Sequence, residues 1–197
     1  MNRRVFLQSA AAGVALAAER RPNVLLVTSD QESALLPGPV KLPNRARLEE
    51  RGVSFTHAFC NTPQCSPARA AILTGRTPLN AGVVTNIDAT SMGVAPSPDL
   101  PTLGSVFRSA GYSTGFFGKW HLGGKGPDKF GFTTANTGSA QNSGAKGDGP
   151  ATRAASDWMR EQKGPWMAWV SLLNPHDIYF PPKGFAAVQP REGVRLP

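Results

Sequence analysis

The chain has 197 residues, which is enough for one domain with a hydrophobic core and too few for two large domains. It is basic, with a formal net charge of +8 that arises from 21 lysine and arginine residues and 13 acidic ones. The basic residues are scattered and no recognisable nucleic-acid-binding module occurs, so we do not expect nucleic acid as a partner. A positive net charge also steers anions toward a protein, so the composition is compatible with an anionic substrate.

The N-terminus has the features of a twin-arginine export signal. Arg3 and Arg4 precede an alanine-rich apolar run from Ser9 to Ala18, which is shorter than the roughly 20 residues that a membrane-spanning helix needs. We therefore expect residues 1–17 to be a signal peptide rather than a basic amphipathic helix, and the mature protein to be periplasmic or extracellular, with a net charge of 8 − 2 = +6. No cysteine lies near the expected cleavage point, so we expect no lipid anchor and no stable attachment to a membrane.

Strands and helices are predicted to alternate along the rest of the chain. The continuous apolar run Val24–Thr28 is typical of a parallel strand buried on both faces. Further strands are predicted at Val53–Phe59, Tyr112–Phe117 and Trp166–Leu173, and helices at Pro43–Arg51, Pro101–Ala110 and about Ala151–Gln162. The stretch 133–149, rich in Gly, Ser and Asn, is predicted to be a surface loop. This alternation predicts an α/β fold with a doubly wound, mostly parallel sheet flanked by helices.

Polar side chains with chemical potential follow the predicted strands at their C-terminal ends. Asp30 follows the first strand, Lys119 and His121 follow the third, and His176 follows the fourth, while Cys65 comes a short loop after the second. Because the carboxyl ends of parallel strands meet at one edge of a sheet, where ligands bind in such folds, we expect these residues to share a site.

The segment that begins at Cys65 reads Cys-Ser-Pro-Ala-Arg-Ala-Ala-Ile-Leu-Thr-Gly-Arg. It predicts a short helix with Ser66 as the N-cap, Pro67 at the first helical position and Gly75 as the stop. Cys65 would then lie at the positive end of the helix, which favours an anionic nucleophile and an anionic substrate. Arg69, one turn along, could reach back to the same anion.

This segment and the later run Gly118-Lys119-Trp120-His121-Leu122-Gly123 together resemble the two signature segments of the type I, formylglycine-dependent sulfatases of the alkaline-phosphatase superfamily. The resemblance extends from about Pro22 to Pro182. It implies that a separate maturation enzyme oxidises Cys65 to formylglycine, an aldehyde whose hydrate is the nucleophile. It also implies a divalent metal and hydrolysis of sulfate monoesters of small molecules or carbohydrates.

The resemblance also assigns roles to individual residues. Asp30 and formylglycine at Cys65 would bind the metal, and oxygen ligands of this kind suit Ca²⁺; whether Gln31 is a ligand stays open. Arg69 would hold the formylglycine hydroxyl. The catalytic residues beside Cys65 and Arg69 would be Lys119, a positive charge for sulfate, His121, which takes a proton from the hydrate, and His176, which protonates the leaving oxygen. We expect structural roles for Arg76 and Trp120 and no chemistry for Cys60.

Two further expectations concern the whole chain. No disulfide is expected, because a bridge between Cys60 and Cys65 would consume the nucleophile. The sequence after His176 contains no aspartate beyond Asp177, whereas the family has a later acidic pair in its metal site. We therefore expect residues 22–197 to be an incomplete, N-terminal part of a sulfatase catalytic domain. Two alternatives stay open: a phosphonate monoester or phosphodiester hydrolase of the same superfamily, and a remnant that only binds anions or carbohydrate.

Overall fold

A computed structural model describes residues 21–32, 42–88, 93–137 and 144–176. Its centre is a sheet of four parallel strands in the order β1-β4-β2-β3. The strands are β1 (Val24–Thr28), β2 (Ser113–Gly118), β3 (Thr134–Asn136) and β4 (Trp166–Ser171). A parallel sheet with helical connections confirms the predicted α/β class.

Five α-helices and one 3₁₀ helix surround the sheet in the described part of the chain. They are α1 (Pro43–Glu49), α2 (Cys65–Thr74), α3 (Pro78–Ala81), α4 (Leu103–Ser109), the 3₁₀ helix Pro127–Phe130 and α5 (Gly144–Glu161). Helix α4 begins with a capping box, in which Thr102 and Ser105 exchange hydrogen bonds between their side chains and backbone N–H groups. None of these helices is long and apolar enough to cross a membrane.

The two central strands, β4 and β2, bury both of their faces. Alternate residues point to opposite sides, so Phe116, Met167 and Trp169 join one core cluster while Phe117, Ala168 and Val170 join another. The first cluster includes Ala70 and Leu73 of α2, and the second includes Ala155 of α5. The sheet is therefore a middle layer, with helix α2 on one side and helix α5 on the other.

Strand β1 is less buried than its apolar sequence predicted. Val24 and Leu26 pack against the first core cluster, but Leu25 is 48% exposed and Val27 is 53% exposed. Strand β1 is the outer strand beside β4, and α5 reaches over the central strands rather than over β1. The prediction of burial on both faces is thus wrong for this strand within the described residues.

The structure differs from the sequence-based predictions in two further segments. Residues 53–59, predicted as a strand, form no strand and are exposed, with Phe55 at 80% and Phe59 at 90% exposure; their apolar side chains have no partner strand or helix within the described chain. The stretch 133–149 is not simply a loop, because it contains strand β3 and the first residues of helix α5. Helix α5 has 18 residues and starts among glycines because its later apolar face packs on the sheet.

Candidate active site

Asp30 is the centre of a buried cluster at the C-terminal ends of β1, β2 and β4. Its side chain is 6% exposed, and its Oδ2 atom lies 2.6 Å from Lys119 Nζ and 3.0 Å from a guanidinium nitrogen of Arg69. Burial raises the pKa of the Asp30 carboxyl, but the hydrogen bonds and positive charges of Lys119 and Arg69 outweigh burial and hold the pKa below its ordinary value. Asp30 is therefore ionised at neutral pH.

Cys65 is the first residue of helix α2 and touches this cluster. Its Sγ atom lies 3.4 Å from Asp30 Oδ1 and 3.8 Å from Lys119 Nζ. The N-cap is Gln64, so the predicted N-cap at Ser66 is wrong by two residues. Pro67 is accommodated in the first turn, where backbone N–H groups have no partner within the helix. Helix α2 ends as predicted at Gly75, which has a left-handed φ of 66°.

The hydroxyl of Ser66 is used inside the fold instead of at the helix cap. Ser66 is fully buried, and its Oγ atom donates to the carbonyl oxygen of His121 at 2.6 Å and accepts from the N–H of Ile87 at 3.1 Å. Its own N–H donates to Asn86 Oδ1 at 3.0 Å. Ser66 thereby fixes the start of α2 to the backbone of a second site residue.

Arg69 is buried and holds three parts of the site together. Its guanidinium donates to Asp30 Oδ2 at 3.0 Å, to the carbonyl oxygen of Lys119 at 2.9 Å and to the hydroxyl of Ser171. The planar guanidinium suits such a role because its N–H groups point in fixed directions. Arg69 lies one helical turn after Cys65, as predicted, and its buried position rules out an ordinary surface arginine.

Lys119 follows β2 directly and is also buried, with a side chain that is 8% exposed. The backbone N–H of Lys119 donates to the carbonyl oxygen of Ser171 at 2.8 Å, and the backbone carbonyl oxygen of Lys119 accepts from the Ser171 hydroxyl at 2.8 Å. The chain before it passes very close to β4: a Cβ added at Gly118 would lie 2.0 Å from the carbonyl oxygen of Ser171. Glycine at 118 therefore permits the approach that places Lys119.

His121 lies beside the same charged groups. Burial lowers its pKa most, and the charges of Lys119 and Arg69 lower it further, against smaller opposing effects of Asp30 and Asp88. His121 is therefore neutral at pH 7, and its Nδ1 atom is buried with no hydrogen-bond partner among the described residues. The segment is not extended as expected, because His121 adopts a left-handed φ of 54°. Trp120, which lies between Lys119 and His121 in the sequence, packs in the core, as predicted.

His176 lies at the end of the described segment after β4 and is partly exposed. Its N–H donates to the carbonyl oxygen of Leu173 at 3.0 Å, and the carbonyl oxygen of Asn174 accepts from the N–H of Asp30 at 3.3 Å. The segment that carries His176 is thus joined directly to the backbone of Asp30. The Asn174–Pro175 peptide bond is cis. Asp177 lies outside the described residues.

The remaining residues singled out in the sequence are exposed. Cys60 lies in the exposed segment before α2, as does the third histidine of the sequence, His57, and Arg76 is exposed after the end of α2. Cys60 and Cys65 are both free thiols. Gln31 is exposed and has a left-handed φ of 57°.

Sequence reasoning missed two side chains that connect the site. Ser171 is fully buried and links Arg69 to Lys119; a polar residue at the end of an otherwise apolar strand was the available signal. Asp148 accepts hydrogen bonds from the N–H groups of Leu173 and Asn174, and nothing in its local sequence indicated this.

The donor atoms near Asp30 suit a hard cation only in part. A carboxylate oxygen is the kind of ligand that Ca²⁺ or Mg²⁺ prefers, but Ca²⁺ takes about six to eight oxygens. Within residues 21–32, 42–88, 93–137 and 144–176 there is no group of three or more His, Cys, Asp or Glu side chains that could hold a metal ion. These residues therefore supply at most part of a metal site.

The sequence is similar to known sulfatases. It is 37% identical over 117 residues to the uncharacterized sulfatase YidJ of Escherichia coli, covering 57% of this chain and 22% of that protein. It is 35% identical over 117 residues to human steryl-sulfatase, covering 54% of this chain and 20% of that protein. The chain thus spans about a fifth of the length of these curated relatives.

The fold is also similar to that of solved structures, some of which are described as sulfatases. The crystal structure of Ps i-CgsB in complex with k-i-k-neocarrahexaose superimposes with a TM-score of 0.69 at 21% identity, covering 79% of this chain and 46% of that one. The family model described as "Sulfatase" matches residues 22–193, which is most of the sequence. The chain therefore belongs to the sulfatase family.

Proposed function

We propose that the protein hydrolyses sulfate monoesters with Cys65, converted to formylglycine, as the nucleophile. The observation that carries this proposal is the contact of Cys65 with Asp30 and Lys119 at the C-terminal edge of the sheet, where Arg69 and Lys119 both pair with Asp30. An isolated buried cysteine would need neither the ionised carboxylate nor two buried cations beside it. Membership of the sulfatase family supports the same reaction.

Hydrated formylglycine would supply two hydroxyl groups. The oxygen of the first would bond to sulfur as the ester S–O bond breaks and the alcohol leaves. Loss of the proton from the second hydroxyl would then expel sulfate and restore the aldehyde. Lys119 supplies a positive charge for the sulfate oxygens, and Arg69 holds the hydroxyl at position 65. His121, whose pKa is lowered by burial, is neutral and accepts the proton of the second hydroxyl group. His176 donates a proton to the leaving oxygen.

We further propose that Asp30 and residue 65 contribute ligands to a divalent cation, Ca²⁺, which would add positive charge at the sulfate. The ionised state of Asp30 supports this role. A formylglycine-generating maturation enzyme is the implied partner. The substrate would be a sulfated carbohydrate or small molecule; the neocarrahexaose bound to Ps i-CgsB supports the carbohydrate class.

The reaction is tested on the polypeptide of the natural reading frame, expressed together with a formylglycine-generating enzyme and assayed with Ca²⁺. We expect hydrolysis of an aryl sulfate, its loss by at least about 1000-fold in Cys65→Ala, and little change in Cys60→Ala, because only Cys65 lies in the cluster. Faster hydrolysis of phosphonate monoesters or phosphodiesters than of sulfates would replace the proposed reaction, and turnover by Cys65→Ala would refute the nucleophile.

We also propose export through a twin-arginine signal in residues 1–17, which lie outside the described part of the chain. Replacing Arg3 and Arg4 together with lysine should hold the precursor in the cytoplasm, because the receptor reads both guanidinium groups. The distribution of protein between cytoplasm and periplasm measures this. Continued export of the double variant would show that another route is used.

A further inference from the structure

We propose that Asp148 is a positioning residue, which fastens the segment after β4 to helix α5 and so sets the backbone at both His176 and Asp30. The effect on hydrolysis rests on the proposed function, whereas the effect on the backbone does not. Asp148 belongs to none of the motifs and touches neither Cys65 nor Arg69 in the structure. Its role follows from the hydrogen bonds that it accepts.

The carboxylate of Asp148 binds two backbone N–H groups of the segment after β4. Asp148 Oδ1 accepts from the N–H of Leu173 at 2.7 Å, and Asp148 Oδ2 accepts from the N–H of Asn174 at 2.9 Å. Each carboxylate oxygen therefore serves one of two successive backbone donors, at the short distances typical of hydrogen bonds to a charged acceptor. Asp148 lies in α5, so the contact joins this segment to a helix packed on the sheet.

The segment after β4 is in turn hydrogen-bonded to two residues of the candidate site. The carbonyl oxygen of Asn174 accepts from the N–H of Asp30 at 3.3 Å, and the carbonyl oxygen of Leu173 accepts from the N–H of His176 at 3.0 Å. The two residues whose N–H groups Asp148 binds are thus the two whose carbonyl groups hold Asp30 and His176. A shift of the Leu173–Asn174 backbone would move both site residues together.

Both hydrogen bonds require an acceptor, so the contact needs a carboxylate. An ionised carboxylate only accepts hydrogen bonds, whereas the amide of asparagine has one accepting oxygen and one donating NH₂ group. Asp148→Asn would keep the size of the side chain and leave one of the two backbone N–H groups facing another donor. This variant therefore removes one of the two hydrogen bonds, and places two donors against each other, without creating a cavity.

The experiment compares Asp148→Asn with Asp157→Asn in the full protein. Asp157 lies on the same helix, is exposed and pairs with Arg160, so its variant matches the change in charge and side chain. Amide hydrogen exchange, followed by mass spectrometry without substrate, should become about tenfold faster in residues 172–176 and at Asp30 in Asp148→Asn, and in neither place in Asp157→Asn. In the aryl sulfate assay, kcat should fall about tenfold with KM changed less than about twofold.

Unchanged exchange in residues 172–176 would overturn the proposal, and so would faster exchange spread equally over β2 and α5, since that would indicate a merely structural role. A kcat equal to that of Asp157→Asn would also overturn it. If the unmutated protein hydrolyses no sulfate ester but the exchange result is as expected, the proposed function fails while the positioning of the two backbone segments by Asp148 stands.

Discussion

Cys65 is subject to opposing influences on its ionisation. Burial raises the pKa of the thiol most, and the charge and hydrogen bond of Asp30 raise it further, whereas the charges of Lys119 and Arg69 lower it. The net pKa is above its ordinary value, although Cys65 lies at the N-terminus of a helix, a position that by itself favours an anion. An unmodified Cys65 is thus a poor nucleophile near neutral pH, which agrees with a need for conversion to another group.

This ionisation state predicts a difference in reactivity between the two cysteines. In protein made without the maturation enzyme and treated with a chelator, iodoacetamide at pH 7.5 should alkylate exposed Cys60 at least about tenfold faster than Cys65. Both cysteines lie in the tryptic peptide from Gly52 to Arg69, so fragmentation of one peptide gives both rates. Equal rates, or faster alkylation of Cys65, would contradict the raised pKa.

The motifs predicted the residues of the cluster but not the residues that connect them. Asp30, Cys65, Arg69 and Lys119 meet as expected, because each comes near the C-terminal end of a parallel strand or at the start of the next helix. The partners of Ser171 and Asp148 could not be predicted, since they are set by the packing of segments far apart in the sequence.

The helices α1, α2 and α4 and the strands β1, β2 and β4 lie close to their predicted bounds, whereas the predictions for residues 53–59 and for the stretch that contains β3 were wrong. Strands β1 and β4 are close to their predicted bounds because each is a mostly apolar run between turn residues, and β2 is close to its predicted bounds because it follows Gly111 and ends at Gly118. Residues 53–59 have a similar composition, yet they form no strand, since strand formation depends on a neighbouring strand that the local sequence does not reveal. The three-residue strand β3 shows the converse. Its local sequence has only a weak preference for strand, but its pairing with β2 compensates for that weak preference.

The end of β2 depends on glycine at position 118. Gly118 has a φ of 105°, and an added Cβ would lie 2.0 Å from the carbonyl oxygen of Ser171. Gly118→Ala should therefore lower the free energy of unfolding by about 2 to 5 kcal/mol, from backbone strain and steric overlap. Gly124→Ala is the matched control, because nothing lies within 4 Å of its added Cβ. Urea denaturation measures both variants, and equal stabilities would refute the proposed close approach of β2 to β4.

For the molecule as a whole, the site places two buried cations and a neutral histidine around one carboxylate. Since the pKa values of both Asp30 and His121 lie below their ordinary values in the fold, these two groups bind protons more readily in the unfolded chain than in the folded protein. Their contribution to the free energy of unfolding therefore rises with pH. The contribution of His121 to the free energy of unfolding is fully present above its unfolded pKa of about 6.5 and is lost as the pH falls below that value. The contribution of Asp30 to this free energy is lost at lower pH.

This linkage predicts a pH dependence that one substitution should reduce. In chelator, the free energy of unfolding from urea titrations should fall between pH 7.5 and pH 5.5, and the fall should be smaller in His121→Gln. A single proton changes this free energy by at most about 1.4 kcal/mol per pH unit. His57→Gln serves as the control because His57 is exposed, and it should keep the slope of the unmutated protein. A His121→Gln slope equal to that of the unmutated protein would show that His121 is not held neutral by the fold.

The central claim is that Cys65 becomes the formylglycine nucleophile of this site. The most direct measurement is the mass of the tryptic peptide from Gly52 to Arg69 after expression with a formylglycine-generating enzyme. We expect a loss of about 18 Da, since an aldehyde replaces the CH₂SH group, with fragment ions that place the loss at Cys65 and leave Cys60 as a thiol. A peptide that retains both thiols under conditions that convert a known sulfatase would contradict the claim.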